Sequence, residues 1–320
     1  MQEGLPRCPA RRGPYCREPP PGSGNTGDVA SEGVVAPDGR SLVSDEGGSR
    51  QRRAAVLGSP IRHSLSPVLH EAAYAALGLT TWRYEAFECT APALPAFVAG
   101  LGPEWAGLSL TMPLKRVALA VADDVSPLAR AVGAANTLVL GKRRRAENTD
   151  VAGILAALRE AGLERVGAAV VLGAGGTAQA ALAALRELGE SSPTVVVRDP
   201  ARTADLCASA DRLAVTPTIS GGLPDVDLPD ADVVISTLPS GAADTLRPQR
   251  WSVDTVVLDV VYAPWPTPLA AEALDAGCRI VSGLAVLLHQ AAAQVELMTG
   301  RCAPVGRMRH ALEAVSRSRG

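Results

Sequence analysis

The chain has 320 residues, a formal net charge of −2, 47% hydrophobic residues and 20% charged residues. This near-neutral, ordinary soluble balance gives no general attraction to nucleic acid or to an anionic membrane surface. No apolar run approaches the roughly 18 residues of a membrane helix, and the length suffices for one large or two medium domains.

The first 52 residues are rich in Gly, Pro, Ser and Asp and have no helical or strand periodicity. They predict a disordered tail, or a segment upstream of the start codon used in the cell, and they contain no apolar signal-peptide region. Six scattered cysteines, without a C-x-x-C pair or a histidine at ligand spacing, argue against a structural zinc or a disulfide scaffold and favour a reducing cytosol. We therefore expect a cytoplasmic protein without a metal.

Short apolar segments alternate with helical patterns between residues 53 and 153, which predicts an α/β domain with a mostly parallel sheet. The predicted strands are Ala54–Leu57, Thr81–Phe87 and Leu108–Leu110, with a hairpin turning at Gly141–Arg145. The predicted helices are Pro67–Leu77, Leu94–Leu101, Leu114–Val121, Leu128–Val132 and Val151–Ala161.

A second α/β series occupies residues 154–283 and predicts a Rossmann-like dinucleotide-binding domain. Its predicted strands are Ala168–Leu172, Thr194–Val197, Val233–Ser236, Val256–Val260 and Arg279–Val281, and its helices are Thr177–Leu188, Ala201–Ala210 and Pro268–Ala276. Residues 284–320 predict helices, beginning with Leu284–Thr299, that pack back on the first domain.

A glycine-rich turn follows the first strand of this second series. Its residues Gly173, Ala174, Gly175, Gly176 and Thr177 lie between an apolar strand and a helix. Glycines there let the backbone approach a pyrophosphate, and the helix N-terminus offers free N–H groups. An ordinary tight turn is the alternative, but the strand and helix on either side favour dinucleotide binding.

Two arginines follow the next strand, at Arg198 and Arg202. NAD enzymes usually place an acidic residue here for the ribose 2′-hydroxyl, whereas NADP enzymes place arginines against the 2′-phosphate. The spacing of four lets both guanidinium groups face one phosphate. The neighbouring Asp199 leaves NAD possible, but the pattern favours NADP.

Ser64 and Ser66 alternate in an extended segment that ends at a predicted helix start. Two hydroxyls beside a helix N-terminus suit a carboxylate. N-capping by Ser66, with Pro67 in the first turn, is the plainer alternative, and both can hold together. We assign the nearby His63 and His70 to packing or to the surface.

Further polar residues lie just after predicted strands, where ligands of α/β proteins collect. They are Thr111 and Lys115 after one strand, and Asn136 and Asp150 near the hairpin. The chain's only other lysine is Lys142, and nearly all of its basic residues are arginine. Where lysine has been replaced so widely, a retained lysine indicates a functional requirement for that side chain.

Seven motifs, in order from Ala54 to about Thr299, resemble those of the shikimate dehydrogenase family. Beside the glycine-rich turn they are Gly58–Pro67 (G-x-P-I-x-H-S-x-S-P), Ser109–Lys115 (N-V-T-x-P-x-K), Gly133–Thr137 (G-A-x-N-T), Asn148–Gly153 (N-T-D-x-x-G), Asp259–Leu269 (D-x-x-Y-x-P-x-x-T-P-L) and Gly283–Ala291 (G-L-x-M-L-x-x-Q-x). The chain departs from the family pattern at Ser109, which replaces Asn, and at Val286, which replaces Met.

The resemblance implies the reversible reduction of 3-dehydroshikimate to shikimate by NADPH, in the pathway to the aromatic amino acids. It implies that Ser64 and Ser66 hold the substrate carboxylate, and that Thr111, Asn136, Asp150, Tyr262 and Gln290 bind its hydroxyls or ring. The implied cofactor contacts are the glycine-rich turn, Arg198, Arg202, Val260 and Gly283.

Lys115 is the catalytic lysine by this resemblance. Hydride arrival puts negative charge on the ketone oxygen, and a cationic donor within hydrogen-bond distance stabilises that charge and delivers the proton. Asp150 is the expected partner that orients the lysine.

Three alternatives stay open at this point. A quinate or dual quinate/shikimate dehydrogenase shares the motifs. A non-catalytic ligand sensor on the same fold has no need of a Lys115–Asp150 pair, and a folate dehydrogenase would lack the paired serines. In each case the expected partner is a small molecule, bound by a monomer or a homodimer.

Overall fold

The computed structural model describes residues 51–223, 230–244, 246 and 251–319. All of the predicted tail except Gln51 and Arg52 lies outside these residues, and Arg52 is the first residue of a strand. The predicted α/β class is confirmed: two six-stranded sheets are formed in succession along the chain.

The first sheet contains β1 to β6. The strands are β1 Arg52–Gly58, β2 Trp82–Glu88, β3 Trp105–Leu110, β4 Asp124–Val125, β5 Thr137–Val139 and β6 Arg145–Glu147. Their order is β2-β1-β3-β5-β6-β4. β1 is parallel to β2 and β3, but the hairpin β5–β6 makes β5 antiparallel to both neighbours, so this sheet is mixed.

Within the described residues, five helices accompany this sheet: α1 Ser66–Ala76, α2 Leu94–Ala99, α3 Val117–Val121, α4 Pro127–Val132 and α5 Asp150–Glu160. α3 begins three residues later than predicted because Leu114 N donates to Thr111 O in a tight turn. That turn holds the residues between β3 and α3 outside any helix, with Lys115 among them.

The second sheet contains β7 to β12 and is parallel throughout. Its strands are β7 Ala169–Leu172, β8 Thr194–Val196, β9 Thr218–Ser220, β10 Val233–Ser236, β11 Val256–Asp259 and β12 Arg279–Ser282. The strand order is β9-β8-β7-β10-β11-β12, so the chain adds strands on one side of β7 first and on the other side afterwards. This is the doubly wound arrangement, which binds dinucleotides at the carboxyl ends of the strands.

The remaining helices are α6 Gly176–Glu187, α7 Ala204–Leu213, α8 Pro268–Asp275, α9 Gly283–Thr299 and α10 Val305–Arg319. α7 begins later than predicted because Pro200–Arg202 form a separate 3₁₀ turn, in which Asp199 Oδ1 accepts from Ala201 N. Leu288, Ala292 and Val295 of α9 pack with residues of α1 and α10, so the chain returns to the first sheet after completing the second.

The two sheet units also meet at α4 and α7. Arg212 Nε on α7 donates to Ala131 O on α4 at 3.0 Å, and Ser209 Oγ donates to the same carbonyl at 3.2 Å. Nearby, Arg116 Nη2 lies 2.8 Å from Asp205 Oδ1. The predicted boundaries at residues 53, 153 and 283 stay predictions, although each sheet, apart from Arg52, falls within one of the predicted units. None of the helices in the described residues has the length and apolarity to cross a membrane.

His70 is fully buried on α1, stacked on Tyr84 with ring centroids 3.9 Å apart. Its Nε2 lies 3.3 Å from Gln294 Oε1. Desolvation by burial lowers the pKa of His70 to about 3 from the ordinary 6.5, so the folded protein holds this ring neutral.

As the pH falls, the unfolded chain binds a proton at His70 at a higher pH than the folded protein does. We therefore expect the free energy of unfolding to decrease as the pH drops below 6.5. The loss between pH 7.5 and pH 5 amounts to roughly 2 kcal/mol from this residue. Urea unfolding of the wild type and of His70→Phe at both pH values checks this, since the variant lacks the titrating group. Equal pH dependence in the two proteins would contradict the prediction.

Candidate active site

Lys115 lies where the two sheet units meet. A Cβ added at Gly176, in the glycine-rich turn after β7, would lie 3.7 Å from Lys115 Cδ. Lys115 Nζ is 3.3 Å from Thr177 Oγ1. The lysine therefore crosses from the turn after β3 in the first unit to the start of α6 in the second, as the sequence predicts for a hydride-transfer site.

A cavity of about 240 Å³ lies beside Lys115. Six of the predicted substrate residues line it: Ser64, Ser66, Thr111, Lys115, Tyr262 and Gln290. They come from four separate parts of the chain, so the fold brings together residues that the motifs only placed in order.

Ser66 does not cap α1. The helix begins at Ser66 itself, Leu65 occupies the N-cap position, and no side chain in the described part of the chain accepts a capping hydrogen bond there. Instead, Ser64 Oγ accepts from Ser66 N at 3.3 Å. The N-capping alternative is therefore wrong, and both serines line the cavity next to a helix N-terminus, where an anion is favoured.

The remaining two predicted substrate residues, Asn136 and Asp150, are buried behind the cavity wall, 1% and 3% exposed. Asp150 Oδ2 accepts from Lys115 Nζ at 2.7 Å, and Asp150 Oδ1 accepts from Asn136 Nδ2 at 2.8 Å. Asn136 Nδ2 also lies 3.0 Å from Gln290 Oε1. These contacts let Asp150 and Asn136 act on the cavity through Lys115 and Gln290.

Backbone contacts hold this network in place. Lys115 O accepts from Ala135 N at 2.7 Å, which ties the lysine's turn to the segment before Asn136. Asp150 is the first residue of α5, where its negative charge is stabilised by the helix dipole. Lys115 and Asp150 side chains are 19% and 5% exposed, so the ion pair is shielded from bulk water yet opens to the cavity on the lysine side.

A second cavity, of about 490 Å³, lies at the carboxyl ends of β7 and β8. It is lined by Gly173, Ala174, Gly175, Arg198, Asp199 and Arg202, among others. Gly173 has φ +107°, and a Cβ there would lie 2.7 Å from Thr237 Oγ1, so this turn requires glycine. Among the residues that the structure describes, a Cβ at Gly175 would meet nothing within 4 Å, and no side chain forms a capping hydrogen bond at the start of α6.

These features fit a dinucleotide phosphate cradle, and Arg198 and Arg202 are exposed at its rim. Neither arginine forms an ion pair with a carboxylate in the residues that the structure describes. Asp199, by contrast, already accepts a hydrogen bond from Ala201 N with one carboxylate oxygen. Two free guanidinium groups beside an engaged carboxylate favour a phosphate on the ribose.

Val260 and Gly283 follow β11 and β12, at the same edge of the sheet but on the other side of β10. A Cβ at Gly283 would lie 2.0 Å from Val260 O, so the two residues are in direct contact. Tyr262, two residues after Val260, lines the first cavity, and the glycine-rich turn lines the second, so the loops after β11 and β7 each contribute to one of the two cavities.

The sequence prediction missed three polar residues of the cavity wall. His63, assigned to packing or the surface, lines the cavity, as do Ser109, which is only a departure from a motif in the sequence, and Gln294, which no motif contains. Gln294 follows Gln290 by four residues, so both lie on one face of α9, and that spacing is the signal that could have found it. The hydrogen bond from Lys115 to Thr177 was also unforeseen.

Comparisons with known proteins agree with this geometry. Residues 56–138 match the family model described as shikimate dehydrogenase substrate binding domain, and residues 283–313 match the shikimate 5'-dehydrogenase C-terminal domain. The shikimate dehydrogenase (NADP(+)) of Moorella thermoacetica is 38% identical over 284 residues, which covers 83% of this chain and 94% of that protein.

Solved structures give the same result. The shikimate dehydrogenase of Mycobacterium tuberculosis is 46% identical with a TM-score of 0.69, covering 82% of this chain and 99% of that one. The shikimate 5-dehydrogenase of Thermus thermophilus, solved in complex with NADP(H) and shikimate, is 33% identical with a TM-score of 0.73, covering 82% and 99%.

Gly153 allows α5 and α9 to approach closely beneath the site. A Cβ there would lie 2.8 Å from Val286 O and 3.1 Å from Gln290 Cβ. We expect Gly153→Ala to lower the free energy of unfolding by about 1–3 kcal/mol, because overpacking outweighs the helix-propensity gain of up to about 1 kcal/mol. Urea unfolding measures this.

Gly306→Ala in α10 is the matched control, since a Cβ there meets no atom of the described residues within 4 Å. It should leave stability unchanged or slightly raised. A Gly153→Ala protein as stable as this control would refute the close approach of the two helices.

Proposed function

The chain belongs to the shikimate dehydrogenase family, and on that premise we propose that it catalyses the reversible, NADP-dependent interconversion of shikimate and 3-dehydroshikimate. The observation that carries the proposal is the Lys115 ammonium, 2.7 Å from Asp150, at the wall of the serine-lined cavity and against the glycine-rich turn. A ligand sensor has no need of this arrangement.

The substrate is proposed to lie in the 240 Å³ cavity. Ser64 and Ser66, beside the N-terminus of α1, hold its carboxylate. Thr111, Tyr262 and Gln290 bind its hydroxyls or ring from the wall. Asn136 supports them from behind by donating to Gln290 and Asp150.

NADP is proposed to lie along the carboxyl edge of the second sheet. Residues 173–177 hold the pyrophosphate, Arg198 and Arg202 the 2′-phosphate, and Val260 and Gly283 the nicotinamide end. When bound, the cofactor supplies or accepts the hydride.

Lys115 handles the proton. An ammonium group has three N–H donors, and in this structure one points to Asp150 and one to Thr177. The third is free to reach a ketone oxygen in the cavity, stabilise its developing charge and protonate it. Asp150 keeps the amine aimed by accepting from both Lys115 and Asn136, and in the reverse direction the amine takes the hydroxyl proton back.

We further propose that the protein acts in the cytoplasm, as a monomer or a homodimer. All residues assigned to the substrate and to the cofactor belong to one chain. A second copy is therefore not required to complete the site.

We expect the purified protein to form reduced nicotinamide from shikimate and NADP, measured by absorbance, and to do so with higher kcat/KM than from quinate. Lys115→Ala should lower kcat by about 10²–10⁴-fold, because the proton donor is lost. Lys142→Ala is the matched control, since it removes the chain's only other lysine, on the β5–β6 hairpin turn. Near-normal kcat in Lys115→Ala would contradict the proton-transfer role of Lys115. No turnover of shikimate by the wild type would contradict the proposed substrate.

Arg198→Ala should weaken NADP selectively. Losing a charge-assisted contact to the 2′-phosphate is expected to raise KM for NADP by about 10-fold or more, and to leave KM for NAD nearly unchanged. Steady-state assays with each cofactor measure this, with Arg186→Ala on the exposed end of α6 as the control. Equal losses with both cofactors would reject the phosphate contact.

A further inference from the structure

Two buried polar side chains of the cavity wall have no role in the proposed function. Ser109 and Gln294 line the cavity, yet each residue is only 3% exposed. Ser109 is on β3 and Gln294 is on α9, 185 positions apart in the chain. Both are tied into a chain of hydrogen bonds that runs through the first unit toward Asp150.

The first half of this series of hydrogen bonds ends at the side-chain carbonyl oxygen of Gln294. Ser109 Oγ donates to Gln294 Oε1 at 2.7 Å, so Ser109 has no proton left and must accept from Tyr84 OH, at 2.6 Å. His70 Nε2, 3.3 Å away, is the second donor to the same oxygen. Burial keeps the His70 ring neutral and raises the pKa of the Tyr84 phenol, so both donors persist across the working pH range.

The amide of Gln294 has one favourable orientation. Its Nε2 lies 3.5 Å from the main-chain oxygen of Asn136 and 3.2 Å from Thr137 Oγ1. A flipped amide would set two carbonyl oxygens against each other at the first contact. Gln294 therefore accepts on the side of β3 and α1 and donates on the side of β5.

The second half of the series of hydrogen bonds sets the orientation of the Asn136 side-chain amide. Thr137 Oγ1 accepts from Gln294 Nε2, which leaves its own proton available, and it donates that proton to Asn136 Oδ1 at 3.0 Å. Thr149 N donates to the same oxygen at 2.7 Å. With Oδ1 held by these donors, the Asn136 NH₂ group faces Asp150 and Gln290.

We propose that Gln294 is a positioning residue: by donating to Thr137 it holds the Asn136 amide toward Asp150, and so keeps the Lys115–Asp150 pair in its reactive arrangement. Each group in the series from Tyr84 to Asp150 donates to the next, and hydrogen bonds aligned in this way polarise and strengthen one another. The proposal rests on the proposed function, because it gives Lys115 the proton-transfer role.

The direction of donation can be reversed by one substitution. In Gln294→Glu a protonated carboxyl group still donates to Thr137, but an ionised one cannot, and it draws the Thr137 proton away from Asn136. We expect kcat of Gln294→Glu to be near that of the wild type at low pH, and to fall about 10-fold or more as the new carboxyl ionises. The wild type has glutamine at this position and therefore lacks the group that titrates in the variant.

Charge repulsion between an ionised residue 294 and the substrate carboxylate would instead raise KM at unchanged kcat. The split between KM and kcat across pH 5 to 9 therefore separates the two effects. Gln294→Met, which can neither donate nor ionise, should lower kcat by about 5-fold at every pH. Gln179→Met on α6, a buried glutamine outside the chain of hydrogen bonds, is the matched control and should keep wild-type kcat.

A second readout needs no substrate. Acetic anhydride labelling followed by mass spectrometry compares the two lysines of the chain, with the hairpin residue Lys142 as the internal reference. If Gln294 steadies Asp150, Gln294→Met frees the Lys115 amine and raises its labelling several-fold relative to Lys142, whereas Gln179→Met does not.

The outcomes separate this proposal from the proposed function. A Gln294→Glu pH profile parallel to that of the wild type, with an unchanged labelling ratio in Gln294→Met, overturns the positioning role even if the wild type oxidises shikimate. A raised ratio in Gln294→Met, found together with a wild type that does not turn over shikimate, upholds the coupling of residue 294 to Lys115 and rejects the proposed substrate instead.

Discussion

The ion pair between Lys115 and Asp150 is the interaction on which the site depends. The carboxylate is almost entirely buried, so its charge must be balanced by the lysine, by Asn136 and by the N-terminus of α5. The lysine, in turn, reaches this carboxylate only because the turn after β3 lies against the glycine-rich turn of the other unit. The charge balance of the pair thus links the placement of β3, α5 and α6.

Helix packing supplies the rigidity that this pair needs. α9 leaves the second sheet at Gly283, packs against α1 and α10, and presents Gln290 and Gln294 to the cavity from one face. Gly153 lets α5 come close enough that Asp150 and Gln290 share the amide of Asn136. An apolar seam between helices therefore sets the distances within a polar cluster.

Much of this could be predicted from the sequence, because strand–helix alternation and local motifs are encoded by neighbouring residues. The glycine-rich turn, the paired serines and Lys115 all depend on such short-range patterns. The contact from Ser109 to Gln294 could not, since it joins residues 185 positions apart and exists only once α9 has returned to the first sheet. The late start of α7 likewise depends on one side chain, Asp199, choosing a local turn over the helix.

The contact between Gly283 and Val260 leaves room for a hydrogen atom and nothing more. Any side chain at position 283 would push the ends of β11 and β12 apart where α9 begins. For protein engineering, residue 283 must therefore stay glycine. Libraries of variants with altered cofactor preference can vary the exposed arginines Arg198 and Arg202, but they have almost no room for substitutions at the opposite end of the sheet edge.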